Sequence, residues 1–226
     1  MVDVRRQPRS RPETIARRRV ILDAALDIFG AKGYSGGTLQ DIADQVGMTH
    51  AGILHHFGSK DQLLLEVLTR RDETDVADLE DQHIPGGIDL FRHLVRTAFA
   101  NARRAGIVQA FAVLSAESVT DDHPGRAYFE ERYRNLRLEV TTAFERVCVE
   151  RGITSPGSIA AGAAGILAVM DGLQVQWLLD PSAIELGPAS EFAIEAIVAA
   201  VLEPRESVLG DARPVTARTE STSSRA

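Results

Sequence analysis

Residues 38–60 read TLQDIADQVGMTHAGILHHFGSK, and the fold of the whole chain follows from how this stretch is parsed. Leu39, Ile42, Ala43 and Val46 recur at helical spacing and make one apolar face. Thr38 stands before them as an N-cap, with Asp41 three residues on, the spacing of a capping box. Gly47 supplies the backbone freedom a sharp turn between helices needs. Thr49 caps a second helix, with Ile53, Leu54 and Phe57 as its apolar side, and Ser59, followed by Gln62, caps a third. Helices this short cannot bury themselves alone and must lean on a neighbour. That is the logic of a helix-turn-helix, whose second helix is presented to a DNA major groove.

On that second helix, His50, Ala51 and Gly52 lie near the N-terminus, where base edges come closest. Thr38, Ile42, Ala43, Gly47, Thr49, Ile53, His56, Phe57, Ser59 and Lys60, at these spacings, resemble the TetR family of bacterial transcriptional repressors. The resemblance implies Gln40 as a further base reader, Thr38, His56 and Lys60 as phosphate contacts, and His55 as able to reach either. Thr38 and Thr49 are needed as caps in any case. Lys60 also sits in the first turn of a helix whose free N–H groups favour an anion. One departure matters: many family members carry Tyr where this chain has Leu54, and that Tyr commonly touches the DNA backbone. Leu54 cannot donate a hydrogen bond, so that role is not carried over.

A net charge of −7 looks wrong for a DNA-binding protein until it is divided by position. Residues 1–20 hold seven Arg against Asp3 and Glu13, residues 1–60 together carry +3, and residues 61–226 carry −10. This confines phosphate attraction to one end and lets the other repel DNA. With 226 residues, 44% of them apolar and 5% aromatic, the chain can hold a sizeable helical core. No leader pattern is visible at the N-terminus, and the longest apolar run, 159–170, is too short to span a bilayer. The single Cys148 excludes an intrachain disulfide and suits a reducing cytoplasm, the expected location, as a buried spectator thiol.

In order, residues 1–12 read as a disordered basic arm and 13–60 as the DNA-binding domain. Residues 61–204 read as an effector-binding and dimerisation domain, and 205–226 as a disordered tail. A helix from about Glu13 to Lys32, ended by Gly33, is the neighbour the two short helices need. The fourth starts at Ser59 and turns strongly charged through Asp81. The fifth spans about 88–104, and Gly106 separates it from a sixth at 107–119. The seventh spans 126–151, the eighth ends at Asp180-Pro181, and the ninth covers about 190–202 with Phe192, Ile194, Ile197, Val198 and Val201 around much of its circumference. No strand-forming alternation is visible, so the fold is all-α, with about nine helices.

The six His show no ligand spacing with carboxylates, so no metal is expected, and no phosphate loop, nucleophile elbow or Cys cluster suggests a cofactor or an enzyme. The eighth helix ends in DGLQVQWLLDP, which resembles the C-terminal domain of betaine-regulator-like TetR proteins. That resemblance implies a homodimer through the last two helices, for which the Gly and Ala of 159–168 are suited. It also implies middle helices around a small-molecule effector, with Phe91, Phe99, Phe111, Phe129, Tyr133, Met170 and Trp177 as candidate lining residues. The expected function is a ligand-responsive regulator, most simply a repressor, that binds a palindromic double-stranded DNA operator. A constitutive helix-turn-helix protein and a helical enzyme are the rival readings.

Overall fold

The computed structural model describes residues 11–76, 86–154 and 156–204. Most of the expected basic arm, the charged segment 77–81 and the C-terminal tail lie outside the described residues. Nine helices, and no strand, are found among those residues: α1 Arg11–Gly36, α2 Leu39–Gln45, α3 His50–Phe57, α4 Lys60–Val76, α5 Ile88–Asn101, α6 Ala105–Glu117, α7 Arg126–Arg151, α8 Ile159–Leu179 and α9 Leu186–Leu202.

Most boundaries have a local cause. α1 takes in Arg11 and Pro12, since proline is tolerated in a first turn. It is interrupted at Gly33, whose φ of 71° no ordinary side chain favours. α7 ends in a left-handed Gly152. Two expectations fail. Gly106 does not divide α5 from α6 but sits inside the first turn of α6, because the chain turns earlier, at Ala102–Arg104. α9 begins at Leu186, with Pro188 in its first turn, where its missing N–H costs nothing.

The core has three parts. The first joins Ile21, Ala25 and Phe29 of α1 to Ile42, Ile53, Phe57, Leu63 and Leu64, and continues into Phe111, Leu114 and Phe129 of α6 and α7. The second gathers α5, α7, α8 and α9 around Phe91 and Phe144, whose ring centroids are 4.6 Å apart. The third is small: Val108, Trp177 and Leu186. Cys148 is buried in the second.

α1 docks on α6 at three points. A Cβ on Gly30 would lie 3.0 Å from the Ala110 Cβ and 3.1 Å from its Cα, so the two helices meet there with no more than the Ala110 methyl between them. Gln109 donates to the Gly30 carbonyl at 3.2 Å, and the Glu117 carboxylate accepts from the Tyr34 N–H at 2.6 Å. The same carboxylate fills the space a side chain on Gly33 would need.

α8 is 21 residues long and apolar enough to cross a membrane by length and composition, longer than the run 159–170 suggested. Its inward face (Ile159, Ala163, Ile166, Met170, Trp177) packs within the fold. Its outward side carries Ala161, Ala164, Ala168, Val175 and Leu179. On the adjacent α9, whose apolar residues run around much of the circumference, Phe192 is 76% exposed, beside Ala196, Ala199 and Ala200.

Candidate nucleic-acid interface and effector cavity

The capping box on α2 is complete. The Asp41 N–H donates to Thr38 Oγ1 at 3.1 Å, and the Thr38 N–H donates to Asp41 Oδ2 at 2.9 Å. Lys32 reaches the same carboxylate at 2.8 Å. The Lys32 bond, then the Thr38 hydroxyl and amide, hold the Asp41 carboxyl down at about 2. The turn closes through a Met48 N–H bond to the Ala43 carbonyl at 2.9 Å, with Gly47 at φ 64°. Thr49 Oγ1 caps α3 by accepting from the Gly52 N–H at 3.1 Å.

α3 then divides cleanly. Ile53 and Phe57 are buried; His50, Ala51, Leu54 and His55 form one exposed face, with Thr38, Gln40 and Thr49 exposed on neighbouring segments. Leu54 was read as part of the apolar side and instead lies at the edge of that face. Gly52 is half-buried and turned toward Met48 and Thr49, 3.1 and 3.3 Å from where its Cβ would stand. Gln40 donates to Asp44 at 2.6 Å. His56 is half-buried, 5.7 Å from the His55 ring. Lys60 lies with its ammonium 4.3 Å over the Tyr34 ring, and burial lowers its pKa. Tyr34 in turn donates its hydroxyl to Asp61 and sits edge-on to His123 at 5.2 Å. Burial, then the bond to Asp61, push its pKa up.

Sequence reasoning missed what holds α3 from behind. Arg18 of α1 lies 4.3 Å over the Phe57 ring, donates to the His56 carbonyl and pairs with Glu66 of α4. It was counted as charge for phosphate, yet within the fold it is a brace that fixes the pitch of the exposed helix. Nothing local signals this, because its partners are 38 and 48 residues away.

A cavity of about 290 Å³ opens between α5, α7 and α8. Of the seven expected effector residues, Phe111, Tyr133 and Met170 line it. Phe91 instead packs on Phe144, and Phe129 stands edge-on to Phe111 at 5.1 Å in the first core. Trp177 belongs to the third core, and Phe99 is partly exposed against Gly187. Polar residues complete the wall: Asp72, Asn101, Arg132, Glu139, Asp171 and Gln174 among them. Tyr133 donates to Asp171 at 2.7 Å, and burial followed by that bond raises its pKa. The one available signal was polar residues at inward helical positions, as with Asn101 and Gln174, both buried. Among the described residues no group of His, Cys, Asp or Glu could hold a metal.

A helix-turn-helix with its outer helix exposed, carried on an all-helical body, defines a DNA-binding regulator. Residues 21–67 match the family described as bacterial regulatory proteins, tetR family, and residues 88–203 match the BetI-type transcriptional repressor C-terminal domain. The chain belongs to the TetR family: it is a transcriptional regulator and not an enzyme. It is 28% identical over 176 residues to the regulator BetI of Agrobacterium fabrum, covering 76% of this chain and 82% of that one. It is 26% identical to AcrR of Shigella flexneri, over 79% and 86% respectively. The fold is shared with FadR of Bacillus subtilis, solved with stearoyl-CoA, at TM-score 0.67 and 15% identity over 81% of this chain and 98% of that one.

Proposed function

We propose that the chain is a cytoplasmic, ligand-responsive repressor. It binds a palindromic operator as a homodimer and is released when a small molecule occupies the cavity between α5, α7 and α8. The division of α3 into a buried, Arg18-braced side and an exposed side of His50, Ala51, Leu54 and His55 carries the DNA reading. Residues 13–60 act as the reading head, while 61–204 hold the cavity and the dimer face. Residues 1–12 would follow the phosphates as a basic arm. The neighbouring apolar faces of α8 and α9 support a four-helix interface between two copies.

His50 and Gln40 would read base edges, and Thr38, His56 and Lys60 would meet phosphates. Lys60 must then leave the Tyr34 ring or reach DNA from over it. The test is to search the DNA flanking the coding sequence for an inverted repeat and titrate it with protein. Lys60→Ala should weaken binding to all sequences alike, since a phosphate contact carries no sequence information. His50→Ala should relax preference at one position, with about 1–3 kcal/mol of discrimination lost. Unchanged base preferences in His50→Ala would remove that residue from the reading set.

A further inference from the structure

Leu54 is the one large apolar side chain on the exposed face of α3. It is 36% exposed, while the other large apolar side chains of the motif turn inward. Ile42, Ile53 and Phe57 are buried, and Leu39, Val46 and Met48 pack against the same core. Ala51, three residues back and so on the same side of the helix, is exposed beside it. A single leucine at a protein surface is ordinary. What sets this one apart is its place, between His50 and His55 on the side of the helix that the motif turns to DNA.

Neither side chain can donate or accept a hydrogen bond, so neither gains from a phosphate oxygen or from most of what a base pair shows in the major groove. Guanine presents N7 and O6 there, adenine N7 and an amine, cytosine an amine. Setting an aliphatic group against any of these strips water from a polar atom and gives it no partner in return. Thymine alone carries an apolar group on that edge, its C5 methyl. Leu54 stands four residues beyond His50, about 6 Å further along the helix axis. That is less than two base steps of about 3.4 Å each.

We propose that Leu54, flanked by Ala51, reads the C5 methyl of a thymine in each operator half-site, within two base pairs of the position His50 contacts. This rests on α3 being the helix that enters the major groove. The contact selects by burial. A methyl that leaves water against two aliphatic side chains favours thymine, whereas the polar edges of the other bases lose hydration there. Leu54 thus serves sequence preference, a task distinct from the phosphate contacts that serve affinity for any DNA.

The test begins by selecting with the full chain from randomised duplexes. The enriched half-site is then resynthesised with each thymine in turn replaced by deoxyuridine, which lacks only the methyl. Affinity is measured at one fixed salt concentration for the unaltered protein, Leu54→Ala and Leu54→Met. At one thymine per half-site the unaltered protein should lose about fourfold on removal of the methyl. Leu54→Ala should bind the two versions of that operator within about twofold of each other, and Leu54→Met, aliphatic and of similar volume, should keep the preference. At the same position 5-methylcytosine should be favoured over cytosine by the unaltered protein and not by Leu54→Ala. Each comparison is made within one protein, so a variant that binds more weakly overall still reports on the methyl. A half-site without thymine, deoxyuridine tolerated at every position, or a methyl preference undiminished in Leu54→Ala would each overturn the proposal and leave the helix-turn-helix reading standing. Enrichment of no sequence at all would remove that reading, and the proposal with it.

Discussion

At the scale of the residue, the two caps make separable predictions. Thr49 Oγ1 has one task in the fold, accepting the Gly52 N–H, so Thr49→Ala should cost about 1 kcal/mol of stability, read as a shift in the urea midpoint with an unchanged slope. Asp41 adds a pH signature. Its carboxyl is held at about 2 against an ordinary 3.8, so the unfolded chain takes up the proton first. Its contribution is present above about pH 4 and fades as pH falls toward 2. The stability gap between the unaltered protein and Asp41→Asn should therefore be level above about pH 5 and close in acid; a gap that stays level down to pH 2 would mean the capping box does not set it. Both caps were legible in the sequence, because a cap and its target lie three residues apart. Arg18 was not, because the same residue type serves a solvated arm or a half-buried brace, and only distant Phe57 and Glu66 decide which.

At the scale of the element, α8 and α9 leave one apolar face uncovered. If two copies meet there, Phe192→Asp should weaken the dimer by about 2 kcal/mol or more, some 30-fold, since burying such a ring is worth roughly that much. A side chain 76% exposed in the single chain makes little difference to the fold of that chain. Sedimentation should thus show monomer with unchanged helicity, and a dimer of undiminished affinity would place the interface elsewhere. The all-round apolar character of α9 was plain in the sequence, but not which arc the chain itself covers. Helical spacing gives a face, and a neighbour decides whether that face is packed, lines a gap or waits for a second copy. For this reason Phe91 and Trp177 lie in core while Phe111 and Met170 reach the cavity, from positions of similar pattern.

At the scale of the whole molecule, the helix-turn-helix and Phe111 of the cavity wall share one continuous first core, joined along α1 and α6. Gly30→Val should press on the Ala110 backbone and destabilise the protein by about 1–3 kcal/mol, measured by denaturant unfolding. Ala110→Gly combined with Gly30→Ala should recover part of the loss seen in Gly30→Ala alone, since the facing methyl is then gone. Full additivity of the two would show that the helices do not meet as tightly as Gly30 implies. Nothing in the sequence marked Gly30 out from other helical glycines; its meaning depends on a helix 80 residues on. The close approach at that crossing, with the short Ala110 methyl facing Gly30, has a mechanical consequence. Long flexible side chains between two helices act as a spring and swallow small movements by changing rotamer. Where Gly30 of α1 meets Ala110 of α6 there is no such slack. A shift of α6 by a fraction of an ångström arrives at α1 undamped, as in a gear train cut without backlash, and the brace from Arg18 hands it on to α3.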